Sequence, residues 1–391
     1  MRIAVVNNFF PPRVGGSSHL SDALARGYAE RGHEVLVITA AYGDAPAEEH
    51  RDGVRIVRLP AWTIPQTRLS VAFDISFASR PSLKRRLGRL LDDFAPDVLH
   101  QHGQFFDLTW ASGRWARRRH IPTLLSVHTR LENPQASYAR VFRRLDTWLV
   151  RPALRHYRPR IVVMDKLMDT YIRARYDGAH SGLVAIPVGV DPAVARGADG
   201  TAVRTSHDLG DRPVILSLGH VIPLRDRVAL VEALPKVLAD HPTALLLVVG
   251  QVYYDQFLRR AADLGVSESV LSIGAVPKEQ VADYLAAADI ESHESGIGLG
   301  TASLEAMAAA VPVVAPVDAD NFPGIDLTGR VMLVPRDDPD ALASTISDAL
   351  GDRRRTSAVA DAGAALVAER FSMRVVLDRH LEVLAELTRS I

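Results

Sequence analysis

The segment 295–310, SGIGLGTASLEAMAAA, combines a glycine-rich turn with the predicted start of a helix. We expect the helix to open at Thr301 or Ser303, where unpaired N–H groups and a partial positive charge favour an anionic ligand. Glycines in the turn would let the backbone approach a bulky anion without interference from a Cβ atom. These glycines are Gly296, Gly298 and Gly300. One interpretation of the segment is therefore a turn that binds an anion.

A single carboxylate, Glu305, follows in what we predict to be the first helical turn. A carboxylate repels a phosphate, but its two oxygens can accept hydrogen bonds from a diol such as ribose. The pattern is also typical of an ordinary helix N-terminus, in which an acid balances the helix dipole and the glycines form the turn. This segment alone leaves both interpretations open.

The length and composition of the chain limit the classes of protein to which it can belong. A chain of 391 residues is too long for one ordinary core, so we expect two domains. Its 47% hydrophobic and 24% charged residues are typical of a globular protein, and the absence of cysteine excludes disulfides and thiolate metal sites. Met1–Phe10 has no signal-peptide pattern, and no apolar stretch reaches about 18 residues. We therefore expect a cytoplasmic protein without a membrane-spanning helix.

The neutral total charge hides an asymmetry between the two halves. Residues 1–190 contain 28 Lys and Arg against 17 Asp and Glu, whereas residues 191–391 contain 18 against 29. A net charge of +11 in the first half indicates an anionic partner, such as a membrane surface or an acidic substrate. Solvated arginine faces are the alternative interpretation. Nucleic acid is not expected, because no recognition motif accompanies the charge.

Hydrophobic patterning predicts an α/β fold. Arg2–Asn8 and Glu34–Thr39 read as buried parallel strands, and the helix between them follows Gly15-Gly16. Similar strand–helix units resume after a predicted linker at Val190–Arg212, so both halves are expected to be doubly wound. The carboxyl ends of the strands should line the ligand crevice.

Two groups of residues in the first half are candidates for function. His128 closes the predicted strand Thr123–His128 at its carboxyl end, where it faces either a ligand or, as a structural histidine, the protein interior. A helical segment after it predicts a basic amphipathic surface, or else an exposed helix whose apolar face lies in the core. Its basic residues are Arg130, Arg140, Arg143, Arg144, Arg151, Arg155, Arg158 and Arg160, and its apolar residues are Val141, Leu145, Trp148 and Leu149.

Two acidic clusters in the second half are not predicted to bind a metal. Asp318-x-Asp320 has the spacing of a metal-binding DxD motif. It follows the predicted strand PVVAP in the second domain, where we expect a glycine-rich loop to bind the ligand. The run from Asp337 to Asp340 is better explained as a helix cap. No metal site and no cofactor are therefore expected.

Several motifs, in order along the chain, resemble one known family. They are FFPPRVGG, PVGVDP, SLGHVIPLRDRVALVEAL, GAVPKEQVADYLAAADI, GLGTASLEAMA, PVVAP and FSMRVVLDRHLEVLAEL. Together they resemble, over nearly the full length, the retaining glycosyltransferases of family 4 with the GT-B fold. The resemblance implies two Rossmann-like domains facing across a cleft. Residues 1–190 would bind the acceptor, with a terminal helix at about 372–391 crossing back to them, and residues 191–371 would bind the nucleotide sugar.

The resemblance also implies a role for individual residues. His128, Arg225 and His220 would be catalytic, with His128 contacting the transferred sugar and Glu305 gripping the ribose. The donor diphosphate would be bound by Gly15, Gly16, His220, Arg225, Gly300 and Thr301. Residues near the base would be Val276, Pro277 and Lys278, the donor-sugar candidates are Glu294, Gly298 and Leu299, and the acceptor candidates are Arg130, Arg143 and Arg144.

The chain departs from the family pattern at two positions. The first cation of the family's G-R-x-x-x-x-K is His220 here, and Arg225 occupies the position of the second. The first glutamate of the family's E-x7-E is Ile297 here, and the sequence leaves open whether Glu294, three residues earlier, takes its place. Both departures bear on which donor sugar is used.

The activity implied is metal-independent transfer of a hexosyl unit from a nucleotide-diphosphate sugar. The acceptor would be a lipid-linked or otherwise anionic molecule, a glycan or a cyclitol, and the basic domain would contact the inner membrane face peripherally. Three alternatives stay open: an isomerase resembling sugar-nucleotide 2-epimerases, a pseudo-glycosyltransferase, and a non-catalytic subunit of a biosynthetic complex. The sequence does not distinguish UDP, GDP and ADP donors, and it does not give the oligomeric state.

Overall fold

The chain folds into two compact α/β units. The computed structural model describes residues 1–13, 15–64, 75–78, 82–132, 135–193, 195, 197–292 and 298–389. Unit 1 comprises Met1–Val188 with the terminal segment from Met373, and unit 2 comprises Gly189–Ser372. The predicted α/β class with two Rossmann-like domains is confirmed.

Unit 1 is built around a sheet of eight strands with helices on both faces. Its strands are β1 (Arg2–Asn7), β2 (Glu34–Ala40), β3 (Glu48–Arg51), β4 (Val54–Leu59), β5 (Trp62–Ile64), β6 (Ile75–Phe77), β7 (Val98–His102), β8 (Thr123–Ser126), β9 (Arg160–Val163) and β10 (Gly182–Ala185). Its helices are α1 (Gly16–Glu30), α2 (Leu83–Phe94), α3 (Asp107–Arg119), α4 (Ala136–Leu145), α5 (Arg151–Tyr157) and α6 (Lys166–Tyr176), with a π-helical segment at Asp146–Val150. A separate hairpin joins β5 and β6.

The strand order of unit 1 locates its ligand edge. The order is β10-β9-β8-β7-β1-β2-β4-β3, and every neighbouring pair except β3–β4 is parallel. The chain runs from β1 to β2 on one side and later returns to β7 on the other. The carboxyl ends of β1 and β7 therefore flank a topological switch point, which is where ligands bind in open parallel sheets.

The terminal helix, α14 (Met373–Arg389), packs on unit 1. Val376, Leu377, Val383 and Leu384 are buried in the same hydrophobic cluster as Ile3 and Tyr28. α1 approaches α14 closely because Gly27 has no side chain. A Cβ atom at that position would lie 2.6 Å from Cδ2 of Leu377. The predicted return of this helix to the first domain is confirmed.

Unit 2 is built around six parallel strands. Its strands are β11 (Val214–Leu218), β12 (Leu245–Val249), β13 (Val270–Gly274), β14 (Ile290–Ser292), β15 (Val313–Ala315) and β16 (Met332–Leu333). Its helices are α7 (Gly200–Ser206), α8 (Val228–Asp240), α9 (Gln256–Asp263), α10 (Val281–Ala287), α11 (Thr301–Ala308), α12 (Pro339–Gly351) and α13 (Arg353–Leu366), with 3-10 turns at Ser267–Ser269 and Lys278–Gln280 and a π-helical segment at Val367–Phe371.

The sheet of unit 2 has the order β13-β12-β11-β14-β15-β16. This is the 3-2-1-4-5-6 order of dinucleotide-binding folds. Its switch point lies between β11 and β14, so the loops after these two strands are expected to flank the ligand.

The linker predicted at Val190–Arg212 is partly wrong, because it contains the helix α7. The Asp199 side chain caps this helix by accepting a hydrogen bond from the Thr201 backbone N–H at 2.8 Å. Gly200 lets α7 pack against α10, since a Cβ atom there would meet the backbone of Ala287 at 2.5 Å. The sparse apolar periodicity concealed a helix that is fixed by its cap and by one glycine contact.

Two helix starts agree with the sequence. α11 begins at Thr301, although Glu305 lies in its second turn rather than its first as predicted. The Asp338 carboxylate caps α12 by accepting from the Ala341 N–H at 2.9 Å, which confirms the capping role of this acidic run. Within the described ranges, no helix is both long and apolar enough to cross a membrane.

Candidate active site

The loop after β11 carries the two candidate ligands of the diphosphate in unit 2. A tight turn forms between Ile222 and Arg225, whose backbone groups exchange hydrogen bonds of 2.7 and 3.2 Å. His220 lies on the exposed surface of this loop. Partial loss of hydration, followed by the positive charges of Arg225 and Arg227, lowers the pKa of His220 below its ordinary value. His220 is therefore largely neutral near pH 7 in the absence of an anion.

Arg227 holds this loop in position and was missed by sequence reasoning. Its side chain is only 1% exposed, and its guanidinium donates to the carbonyl oxygens of Gly219 at 2.9 Å and Arg225 at 3.3 Å. Arg227 also has a positive φ of 64° and forms the N-cap of α8. In the sequence it was indistinguishable from an exposed arginine of the LRDR run. Its burial indicates that it supports the loop from below while Arg225 remains accessible to a ligand.

The ends of β11 and β12 approach each other closely at two glycines. A Cβ atom on Gly250, which has a φ of 152°, would lie 2.2 Å from the carbonyl oxygen of Gly219. The Gly219 N–H in turn donates to the carbonyl oxygen of Val249 at 2.8 Å. Only glycine at position 250 allows this approach, so this residue fixes the start of the His220–Arg225 loop.

Glu305 lies on α11 with its carboxylate available to a ligand. The residue is half-buried, and in the described part of the chain its side chain has no hydrogen bond and no ion pair. Burial raises the pKa of Glu305, while the nearby positive charge of Lys278 lowers it. A half-buried carboxylate without a protein donor is an unsatisfied acceptor pair, which a diol would satisfy.

Lys278, on the turn after β13, is close enough to α11 for its positive charge to lower the pKa of Glu305. Lys278 and Pro277 are exposed, and Val276 is half-buried. All three residues are at least partly exposed, and their place beside a base stays a prediction.

The glycine-rich turn is partly described. Gly298 has a positive φ of 70°, a conformation that favours glycine, and Gly300 is the N-cap of α11 without a capping side chain. Leu299 is buried at 3% exposure, and its role at the sugar stays a prediction. Thr301 is exposed at the start of the helix. Glu294, the donor-sugar candidate, and the family position Ile297 lie outside the described residues.

In unit 1, the turn between β1 and α1 carries the glycine pair. Gly15 is the N-cap of α1, no side chain of the described residues caps the helix, and its first turn contains no acid. A Cβ atom on Gly15 or Gly16 would meet nothing within 4 Å. The open space next to uncapped N–H groups is compatible with an approaching phosphate.

Two buried asparagines precede this turn, and sequence reasoning missed both; Asn7 is the one bonded to the start of α1. The Asn7 amide donates to the Ser21 hydroxyl at 2.9 Å and to the Ser17 carbonyl oxygen at 3.2 Å. The Asn8 amide donates to Asp107 at 2.8 Å. Two polar residues at the end of an apolar strand were the available signal, because buried polar side chains require nearby partners.

His128 lies at the carboxyl end of β8 and is hydrogen-bonded to a second histidine, His102, at the end of the neighbouring strand β7. The distance between His102 Nδ1 and His128 Nε2 is 2.9 Å, and the planes of the two rings differ by 14° with centroids 5.1 Å apart. Burial, followed by the charge of a protonated His380, lowers the pKa of His128 to about 3. His128 is therefore neutral at physiological pH. The pairing follows from the parallel register of β7 and β8, in which His102 is the partner of Ser126.

The three acceptor candidates lie in different environments. Arg130 forms an ion pair of 3.1 Å with Glu132 and is mostly covered. Arg143 and Arg144 are exposed on α4, a helix without any buried residue. The alternative of an exposed helix with its apolar face in the core stays open for α4, because Phe142 and Leu145 are half-buried. Apolar residues next to these arginines are exposed as well, namely Val141 at 43%, Trp148 at 80% and Leu149 at 41%.

Acidic residues in the described ranges do not form a metal site. No group of three or more His, Cys, Asp or Glu is arranged to hold an ion there. Asp318, of the DxD-like motif, lies 3.7 Å from the guanidinium of Arg336. Independence from metal remains a prediction that requires an assay.

Models of two glycosyltransferase domain families match the chain. Residues 15–189 match the Glycosyl transferase 4-like domain, and residues 212–352 match Glycosyl transferases group 1. The two matches fall in unit 1 and unit 2, respectively.

Individual proteins resemble the chain over most of its length. It is 29% identical to the GDP-mannose-dependent alpha-(1-6)-phosphatidylinositol monomannoside mannosyltransferase of Mycolicibacterium smegmatis, with 92% of each chain covered. It is also 29% identical to the 2-deoxystreptamine N-acetyl-D-glucosaminyltransferase of Streptomyces fradiae, covering 88% of this chain and 84% of the relative. The sucrose-phosphate synthase of Thermosynechococcus elongatus superposes with a TM-score of 0.74 at 20% identity, with all of both chains covered.

Proposed function

Because the chain belongs to the family 4 glycosyltransferases of the GT-B fold, we propose that it moves a hexosyl unit, with retention and without a metal, from a nucleotide-diphosphate sugar to a lipid-linked acceptor at an anionic membrane surface. The nucleotide-sugar part of the proposal is supported by the named donor of the mycolicibacterial relative. That relative makes GDP-mannose the first donor to test.

Donor binding is supported mainly by the switch point of unit 2. The loop carrying His220 and Arg225 follows β11, and α11 with Glu305 follows β14, so the cations and the carboxylate lie at the same edge of the sheet. In this proposal Arg225 and His220 bind the diphosphate, and the carboxylate of Glu305 accepts two hydrogen bonds from the ribose hydroxyls. The observation that carries the proposal is that this carboxylate has no hydrogen-bond or ion-pair partner among the described residues.

In the proposed reaction, negative charge develops on the β-phosphate of the donor as the bond to the sugar breaks. The bond between the anomeric carbon and the β-phosphate oxygen breaks, and its electron pair goes to the phosphate. A new bond forms between that carbon and the acceptor oxygen on the same face, and the hydroxyl proton goes to the departing phosphate oxygen. Arg225, protonated His220 and the N-terminus of α11 would stabilise the leaving group by fixed electrostatics.

The acceptor side is supported by the helical segment Ala136–Tyr157 of unit 1. α4, the π-helical segment and α5 follow one another without a break, and they expose arginines beside Val141, Trp148 and Leu149. An exposed tryptophan among exposed cations is the composition of a helix that lies on an anionic lipid surface. The net charge of +11 in residues 1–190 acts in the same direction.

A donor screen tests the first half of the proposal. Thermal shifts with GDP-mannose, UDP-glucose and ADP-glucose identify the donor, and mass spectrometry then follows transfer to phosphatidylinositol-type acceptors with and without EDTA. We expect one donor to stabilise the protein, turnover to need an acceptor and to persist in EDTA, and NMR of the product to show a retained anomeric configuration. Conversion without acceptor would identify an isomerase, and binding without turnover would identify a non-catalytic homologue.

A liposome assay tests the second half. We expect binding to anionic but not to neutral vesicles, with loss of binding in the double variant Arg143→Glu, Arg144→Glu and weaker binding in Trp148→Ala. The control is Arg85→Glu, Arg86→Glu on α2, a pair equally exposed in unit 1. Equal losses in both double variants, or no binding at all, would remove the argument for a membrane-bound acceptor.

A cyclitol acceptor is the second candidate, favoured by the similarity to the 2-deoxystreptamine-specific relative. It predicts turnover with soluble 2-deoxystreptamine in the absence of lipid, and no effect of the α4 substitutions on that turnover.

A further inference from the structure

Four histidines of unit 1 lie close together, namely His100, His102, His128 and His380. Of the other three, only His102 has a hydrogen bond to His128. His100 and His102 occupy the same face of β7, with ring centroids 4.3 Å apart, and His380 of α14 lies 5.2 Å from His100. Each of these three residues is at most 1% exposed. Buried histidines need partners for their ring nitrogens, so the partners of each indicate what it does.

His100 is a satisfied core residue. Its Nδ1 is 3.0 Å from the Tyr28 hydroxyl, and its Nε2 is 2.9 Å from the Ser126 hydroxyl. His380 is bonded within its own helix, where Nδ1 donates to the carbonyl oxygen of Val376 at 2.8 Å. Neither residue has a hydrogen bond to His128.

His102 differs from both. Within the described residues its side chain has a single hydrogen bond, the 2.9 Å contact with His128, and its Nε2 is buried without a partner. An apolar side chain would pack at this position without leaving an unsatisfied nitrogen. The polar ring at this site is therefore explained by His128 alone.

We propose that His102 is a positioning residue, which donates its Nδ1–H to Nε2 of His128 and so fixes His128 as the neutral tautomer protonated on Nδ1. The reverse assignment would put the proton of His102 on its buried Nε2, where the N–H would have no acceptor. Buried N–H groups without acceptors are rarer than unpaired acceptors. This inference rests on the proposed function, since it gives His128 its purpose.

The fixed tautomer determines what His128 can do. Its Nε2 is occupied by the bond from His102, so it cannot remove the proton of the acceptor. Its Nδ1 points away from His102 because the two nitrogens lie on opposite sides of the ring, and it has no hydrogen bond to the described residues. His128 is thus a hydrogen-bond donor for an oxygen of the transferred sugar, which fits a reaction in which the phosphate takes the proton.

NMR of protein labelled with 15N-histidine tests the pairing without turnover. We expect the His128 resonance, assigned with His128→Gln, to show a protonated Nδ1 and an unprotonated Nε2 in the wild type. In His102→Leu it should become a mixture of tautomers, whereas in His102→Asn, whose amide lies near the position of Nδ1–H, it should stay fixed. A proton on Nε2 of His128 in the wild type would overturn the assignment.

Kinetics test whether the pairing matters for transfer. We expect His102→Leu to lower kcat about ten- to a hundredfold, the range typical when a supporting group is removed, and His102→Asn to recover activity to within about threefold. The matched control is His380→Leu, an equally buried histidine that also has an unpartnered Nε2 but does not contact His128. Equal loss in both leucine variants, without a change of tautomer, would mean that His102 is only structural. Full activity of His128→Gln would instead refute the proposed role of His128 and leave the tautomer assignment intact.

Discussion

The two units place different kinds of polar side chains at the carboxyl ends of their strands. Unit 1 has an excess of basic residues, yet its strand ends contain neutral groups, among them Asn7, Asn8, His102 and His128. Unit 2 has an excess of acidic residues, yet its corresponding loops carry Arg225, Arg227 and Lys278. The groups at each ligand edge therefore do not follow the net charge of the unit: the edge is neutral in the basic unit and carries cations in the acidic one.

The contrast shows that the net charge of a unit and the charge of its ligand edge have different roles. The excess charge lies on exposed helices such as α4, where it acts on long-range partners. The ligand edges are formed by a few residues held by buried partners, as Arg227 holds the Arg225 loop and His102 holds His128. A neutral edge suits an uncharged sugar, whereas a cationic edge suits a diphosphate.

The largest effect should follow from removing the accessible cation of unit 2. We expect Arg225→Ala to lower kcat at least a hundredfold, because the developing phosphate charge loses its main stabilising group. Thermal unfolding should be unchanged, since Arg227 rather than Arg225 is the buried support of the loop. The control is Arg259→Ala, an exposed arginine of α9. Activity of Arg225→Ala within about threefold of wild type would contradict the contrast between the two edges.

The next effect concerns the unpartnered carboxylate. We expect Glu305→Gln to weaken donor binding about ten- to a hundredfold, since an amide offers one acceptor where the carboxylate offers two. Binding of the nucleotide sugar can be measured by isothermal titration calorimetry, with Glu279→Gln, on the exposed turn after β13, as the control. Equal affinities for a ribose and a 2′,3′-dideoxyribose nucleotide would refute a diol as the partner of Glu305.

The stability of unit 1 at acid pH tests whether its buried histidines are neutral in the folded protein. Burial holds the pKa of His380 at about 4 and those of His100 and His102 well below 6.5. Below pH 6.5 the unfolded chain therefore binds more protons than the folded one, so stability is lost as pH falls from about 6.5 toward 4. Each buried histidine contributes a slope of up to about 1.4 kcal/mol per pH unit in this window.

The four tryptophans, Trp62, Trp110, Trp115 and Trp148, all belong to unit 1, so their fluorescence during urea denaturation reports on that unit. We expect His380→Leu to reduce the slope of the unfolding free energy against pH between pH 6.5 and 4.5 by up to about 1.4 kcal/mol per pH unit, the contribution of one buried histidine. The exposed His50, replaced in His50→Gln, is the control. A slope unchanged by His380→Leu would mean that this histidine is not held neutral.

The smallest effect is the pH dependence of donor binding. The pKa of His220 is below its ordinary value in the free protein, and a bound diphosphate raises it, so binding takes up a proton. The resulting gain in affinity is present at low pH and is lost as pH rises through the pKa of the complex. Each unit by which binding raises that pKa increases affinity at most about tenfold.

We therefore expect tighter donor binding at pH 6 than at pH 8.5, and no such difference in His220→Gln. Calorimetry with an intact nucleotide sugar measures both. An unchanged or higher affinity at pH 8.5 in the wild type would refute the role of His220.

Local signals in the sequence were sufficient for much of the second unit. The predicted start of α11 at Thr301 and the Asp338 cap of α12 were found because a helix start depends on a few neighbouring residues. The glycine-rich turn before α11 and the loop that carries His220 and Arg225 follow from motifs that occur in a fixed order along the chain. By contrast, the sequence predicts a linker where α7 lies, because the stability of α7 depends on a contact between Gly200 and α10, far away in sequence.

The sequence by itself determined that this chain has two doubly wound units and where their ligand-facing loops begin, since strand periodicity, glycine turns and helix caps are local properties. Only the tertiary structure decided which side chains at those loops are supported and which are available. His102 and His128 are 26 residues apart and meet because β7 and β8 pair in parallel register. Arg227 and Arg225 have the same chemistry, and burial alone separates their roles. Pairing and burial depend on strand order and packing across long sequence separations, which no local pattern encodes.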